Sequence, residues 1–345
     1  MESLVSRREF IERTTCAAAA FAVMPQATPA ARMFISQNGA VAPRTQWPDS
    51  ARMAARVGYG GIDWSLGPAK TAGLEATRAI FAETKLRPTI VGLPMNGQVA
   101  FGEEAAFKTA LSTLADDAAF AAAVGCHNMM LVLTPQSSQP RDERRKLVVE
   151  RLTAIGAVLQ KSNVRLGLEF LGPLYFRSPV APAGGGRGGR QGAPAADPAT
   201  PPPPPPLRIP FIWTLPETVA LGKDSGPNVG AVLDIWHWYH SGGTVADILA
   251  TEKERIVHVH LSDARAMEPA DVRDNMRLMP GEGQIDVTAF LQALRKIGYT
   301  GGVAPEPLGR IPMDMAPEEA SKLGFDTTLA AMKKASITPA DTPLR

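Results

Sequence analysis

Eight short apolar runs, most separated by a stretch of helical character, recur along this 345-residue chain. The runs are MFISQNG, GGIDWSL, RPTIVGL, HNMMLVLT, VRLGLEFL, VGAVLDIWH, RIVHVHLSD and GGVAPEPL. Between them lie amphipathic segments such as WPDSARMAARVG, EEAAFKTALSTLADDAAFAAAVG, RDERRKLVVERLTAIGAVLQKS, TLPETVALGK and DVTAFLQALRKIG. Several of these end in Gly, as helix C-termini often do. The fifth and sixth runs are apolar enough to be buried on both faces, as parallel strands are. Eight strands with helices between them predict an α/β fold, a (β/α)₈ barrel rather than an open doubly wound sheet. The first strand is not followed by Gly-x-Gly-x-x-Gly, which weighs against a dinucleotide fold.

With 45% hydrophobic residues and a formal net charge of +2, the chain has ordinary globular composition and ample material for a core. So small a charge gives no electrostatic argument for a nucleic acid or an anionic membrane as partner. Cys16 and Cys126 lie far apart, so a structural disulfide is not expected, and two cysteines are too few for a Cys-type zinc site.

In such a barrel, catalytic side chains come from the C-terminal ends of several strands. The fifth run ends with Glu169, and the sixth with Asp234 and His237. The seventh carries His260, and the eighth Glu306. Parity in a strand is strict, because successive side chains point to opposite faces. Glu169 shares a face with Gly167, Asp234 with Val232 and Glu306 with Ala304, which leaves room beneath each acid. His258 and His260 share one face, with Val257, Val259 and Leu261 on the other. His237 breaks parity with Asp234, where the strand should already be leaving the sheet. Carboxylates packed this closely are costly unless a cation compensates them. Two Glu, one Asp and one His suit one divalent ion in an oxygen-rich site. Mn²⁺ comes first, with Mg²⁺, Co²⁺ or Zn²⁺ as alternatives. Trp236, Trp238 and Tyr239 offer rings to stack on a ligand or to pack the barrel.

Taken in order, LEFLGP, the Asp-x-x-His of Asp234 and His237, HVHLSDA, RLMPGEG and the PEP around Glu306 resemble one family. This is the sugar phosphate isomerase/epimerase superfamily of xylose isomerase-like TIM barrels, and the resemblance covers roughly residues 33–310. It implies metal ligands at Glu169, Asp234, His260 and Glu306. His258 would then be a core or supporting histidine one layer deeper. It also implies substrate contacts from His237, Arg277 and Glu282, the last two in a loop that closes over the site, with Trp236 beside them. Family members commonly move a proton at a carbon next to a carbonyl, with Glu169 and Glu306 as the proton-transfer pair. Epimerisation, isomerisation or loss of a β-hydroxyl can all follow from that first step. An unphosphorylated sugar, keto-sugar or polyol fits best, since no Gly-rich phosphate loop is present.

Residues 1–31 resemble a twin-arginine export signal. Arg7, Arg8 and Phe10 precede an Ala-rich run too short and weak to anchor in a membrane, with small residues at Thr28, Ala30 and Ala31. The expectation is a single barrel domain over residues 32–345, exported to the periplasm or secreted. It is interrupted by a low-complexity Pro/Gly-rich insertion at 179–206, read as disordered. The six-proline run 201–206 is a candidate docking point for a proline-binding partner, and the sequence leaves a homo-oligomer open. An apurinic endonuclease would need more ligands than five histidines supply, for three zinc ions. A non-catalytic sugar-binding protein could have lost one glutamate, whereas Glu169 and Glu306 are both present. A secreted interaction module built around the insertion is the third alternative.

Overall fold

The computed structural model describes residues 32–177 and 208–340. The expected export signal, the 179–206 insertion and its six-proline run lie outside the described residues. All eight expected strands are present: β1 (Phe34–Gln37), β2 (Gly61–Trp64), β3 (Arg87–Gly92), β4 (Asn128–Val132), β5 (Arg165–Glu169), β6 (Val229–Asp234), β7 (Ile256–Leu261) and β8 (Gly302–Pro305). They form one closed barrel, each pairing with its neighbour in sequence, and β8 pairs in parallel with β1 through Phe34 opposite Gly302. The (β/α)₈ architecture therefore stands as the sequence pattern predicts.

Helices follow the strands, and their ends obey local chemistry. Asp49–Val57 ends on Gly58, whose φ of 118° is left-handed. Leu215–Ser225 starts at Thr214, whose side chain accepts from the Glu217 amide. Val287–Lys296 starts at Asp286, which accepts from Ala289. Among the described residues no helix is long and apolar enough to cross a membrane. A short antiparallel pair, Gln136–Ser137 with Ile209–Pro210, joins the loop after β4 to the chain that returns from the insertion.

The core has two parts. The large one lies between strands and helices and includes Ile62, Leu166, Leu168, Val259 and Leu261. The small one is Ile90, Val232 and Val257, with Met130 packed against it. Val257 thus departs from simple alternation, which grouped it with Val259 and Leu261. The pairing of β6 with β7 slips at this point, from Ala231 opposite Ile256 to Val232 opposite His258. The slip bulges β7 at Val257 and turns that side chain into the small cluster, beside His258. A second slip lies between β2 and β3, where Ile62 opposes Pro88 and Asp63 opposes Ile90.

Candidate metal centre and active site

The rim residues converge as their parity implies. Ligand-type atoms of Glu169, Asp234, His260 and Glu306 all lie within 4.8 Å of one another, and all four side chains are buried. His260 Nδ1 is 3.0 Å from Glu169 Oε1 and 3.6 Å from Glu306 Oε2. Room for the acids comes from the residues beneath them. A Cβ on Gly167 would meet Val232 Cγ2 at 2.7 Å, so only glycine fits below Glu169.

Asp234 has a second task. It ends β6 and caps the helix Ile235–His240, and its Oδ1 accepts from the Trp236 amide at 2.7 Å and the His237 amide at 3.4 Å. This turn explains the parity of His237: the chain is already helical there, and the imidazole swings back over the site. His237 Nε2 lies 3.8 Å from Asp234 Oδ2.

Arg277 brings a fully buried guanidinium to the acids. Its Nη1 donates to Asp234 Oδ2 at 2.6 Å and Glu306 Oε2 at 3.0 Å, and its Nη2 to Asp274 Oδ1 at 2.6 Å. Nη2 also lies 3.2 Å from His237 Nε2. The loop that delivers Arg277 is held by Asp263, the acid of HVHLSD. Asp263 Oδ1 accepts from the Ala264 and Ile285 amides at 2.8 and 2.9 Å. Its Oδ2 accepts from the Gly281 and Gly283 amides at 3.1 and 2.9 Å. The Asp263 and Leu278 backbones also form an antiparallel bridge, one residue from Arg277.

Charge is unevenly shared. Burial pushes the Glu306 carboxyl up to about 7, reinforced by Glu169 and Asp234 and opposed by the His260 and Arg277 charges. Burial acts the same way on Glu169, but the His260 hydrogen bond and charge outweigh it and hold that carboxyl below its ordinary range. Asp234 is likewise held low, with Arg277 overcoming burial. Burial disfavours the His260 imidazolium, yet the surrounding carboxylates raise it well above the ordinary histidine value. Burial lowers His237. Three acids and an imidazole in one buried space, neutralised by protons and a guanidinium, are a donor set that a divalent ion fits.

Two expected residues are engaged by other protein groups. Glu282 is exposed and pairs bidentately with Arg310 at 2.9 and 3.0 Å, and it accepts from the Met279 amide. Trp236 is fully buried, with Arg277 5.6 Å from its ring centroid and His240 edge-on at 4.3 Å. It packs the floor behind Arg277 rather than offering an open face. Phe176, from the loop after β5, stands edge-on to His237 at 6.0 Å and supplies an apolar wall there. Sequence reading missed Asp63 on β2, whose carboxylate meets both histidines of β7: Oδ1 is 3.1 Å from His258 Nε2 and Oδ2 is 3.5 Å from His260 Nε2. A signal existed, because Gly61 lies beneath Asp63 as Gly167 lies beneath Glu169.

The family model described as xylose isomerase-like TIM barrel matches residues 51–328. The chain belongs to the xylose isomerase-like TIM barrel family. Within reach of this barrel family, an inosose isomerase from Halalkalibacterium halodurans is 30% identical over 115 residues, 33% of this chain and 40% of the relative. The match thus spans well under half of that relative's length. A xylose isomerase domain protein from Alicyclobacillus acidocaldarius is similar at a TM-score of 0.73 and 26% identity, over 88% of this chain and 99% of that one. The IOLI protein, solved with a binding zinc atom, is similar at a TM-score of 0.68 over 88% of this chain and 99% of that one. Its identity of 19% makes that likeness one of fold.

Proposed function

We propose that this chain is a divalent-metal-dependent isomerase or epimerase of an unphosphorylated sugar, keto-sugar or polyol ketone. The observation that carries the reading is the convergence of Glu169 and Glu306 on His260 Nδ1, at 3.0 and 3.6 Å, inside a buried quartet. Relatives named inosose isomerase support the substrate class. Glu169, Asp234, His260 and Glu306 would hold the ion, and the oxygen-rich set favours Mn²⁺. When bound, the ion supplies Lewis acidity toward a substrate carbonyl and its adjacent hydroxyl.

The chain's own groups divide the remaining work. One glutamate takes the proton from the carbon next to the carbonyl, and the other returns a proton to the opposite face or the neighbouring carbon. Arg277 Nη2 and His237 Nε2, 3.2 Å apart, are placed to orient substrate oxygens. Phe176 shields that side of the site from water. Loss of a β-hydroxyl from the enediolate left by that proton removal would make the enzyme a dehydratase. The Arg7–Arg8 signal supports export through the twin-arginine route and work in the periplasm, with residues 32–345 as the mature barrel.

The test is a panel of free ketoses and inososes in D₂O with Mn²⁺ added, followed by NMR. Deuterium entering the carbon next to the carbonyl is the expected result, and the product identifies epimer, isomer or dehydrated sugar. Glu306→Gln should slow exchange by about 10²–10⁴-fold. Exchange at the wild-type rate in that variant, or none from any substrate with the ion bound, would sink the proposal.

A further inference from the structure

We infer that Asp63 is the positioning residue for His260, fixing its proton on Nε2 so that Nδ1 faces the three acids. This rests on the reading of the quartet as a metal site.

Asp63 comes from β2, away in sequence from β5–β8, and its side chain is 11% exposed. It is anchored before the histidines are counted. Oδ1 accepts from the Ser36 hydroxyl at 2.9 Å and the Thr89 hydroxyl at 2.7 Å. Oδ2 accepts from Asn38 Nδ2 at 3.1 Å. The two imidazoles, edge-to-face with centroids 5.2 Å apart, then approach opposite oxygens. Neither approach is aligned as a full hydrogen bond, and both Nε2 atoms lack another partner among the described residues.

An ionised carboxylate only accepts, and a neutral imidazole carries one N–H. Glu169 and Glu306 converge on Nδ1, so once that nitrogen gives its lone pair to an ion the one remaining N–H is on Nε2, the nitrogen that faces Asp63. Carboxylate–histidine–metal relays of this kind fix ring orientation and raise ligand basicity. His258 occupies the other oxygen and, with Asn38, keeps the Asp63 carboxylate from rotating. The paired histidines of β7 thus have different partners on one acid: His258 braces it, and His260 is directed by it. Asp63, His258 and His260 are also close enough to form a three-donor cluster of their own. The two hydroxyls already on Oδ1 favour the hydrogen-bonded role.

The experiment is Co²⁺ titration of the full chain by calorimetry, for wild type and Asp63→Asn, with melting curves as a fold control. An Asn amide donates as readily as it accepts, so the tautomer is no longer enforced. One ion per chain, bound about 10–100-fold more weakly in the variant, is expected. Equal affinity in the folded variant overturns the positioning role and leaves the quartet standing. No Co²⁺ bound by wild type overturns both. Two ions per chain, one lost in Asp63→Asn, makes Asp63 a ligand and overturns the inference. If the variant does not fold, ¹⁵N-histidine NMR of the Zn²⁺-loaded wild type decides. His260 protonated on Nε2 supports the assignment, and protonation on Nδ1 overturns it.

Discussion

Replacing Asp263 by Asn should uncouple the Arg277 loop while leaving the barrel's shape intact. The side chain is completely buried, and Asn is its isostere, so no cavity opens. Asp263 uses both oxygens, each accepting two backbone amides. Asn retains one oxygen and turns an NH₂ toward the other two amides. Two hydrogen bonds to a charged acceptor are lost, at about 1.5–3 kcal/mol each. The Gly281 and Gly283 amides lie in an exposed loop and recover water, which favours the Asn rotamer that abandons them. The net loss should then be near the lower bound, about 3 kcal/mol. In a chain of this size that lowers Tm by roughly 4–5 °C. Thermal and urea unfolding of metal-free protein, wild type against variant, measures it. A loss below about 1 kcal/mol would refute the argument that this acid holds the loop.

The quartet's affinity for a divalent ion should depend on pH, because the metal-free Glu306 carboxyl is pushed up to about 7, chiefly by burial. Below that value the folded chain carries a proton the ion must displace. Mn²⁺ affinity should therefore fall about fivefold as pH drops from 7 to 6, approaching tenfold per unit below that, and more steeply where His260 also gives up a proton; a flat profile by competition titration contradicts it. Cys126 is completely buried, and burial raises its thiol from 9.0 to about 11. In a Cys16→Ser background it should resist Ellman's reagent at pH 8 and react only in denaturant; prompt reaction in the native chain contradicts it. Glu282→Gln breaks only an exposed pair with Arg310, so stability should change by less than about 1 kcal/mol. Substrate KM should also hold within about twofold, and a tenfold rise would restore Glu282 as a substrate contact.

The barrel and its four rim residues were legible because strand parity and chain order are local properties. Glu169 over Gly167 and Glu306 over Ala304 announce an inward face without any knowledge of neighbours. Val257 was not legible, because a bulge arises from the pairing of two strands and leaves no mark on the alternation of one. Asp63 was passed over because a lone acid before Trp64 and Ser65 reads as a strand end, and only the distant β7 gives it a role. Trp236 looked like a stacking platform, but which face of a ring is covered depends on Arg277, 41 positions later, folding back over it. Arg277 itself was readable as a site residue, although its grip on Asp234 and Glu306 was not.

The Asp263 anchor recognises only main-chain amides, those of Ala264, Gly281, Gly283 and Ile285. Nothing in that grip reads the side chains at 280, 282 or 284. Those positions can drift through evolution while Arg277 stays aimed at the acids. Gly283 is the fixed point: a Cβ there would lie 2.2 Å from the Ala264 carbonyl oxygen and 2.6 Å from Asp263 itself. The path of the segment, and with it the aim of Arg277, is thus written in main-chain amides and glycines and is insulated from the side chains the segment carries.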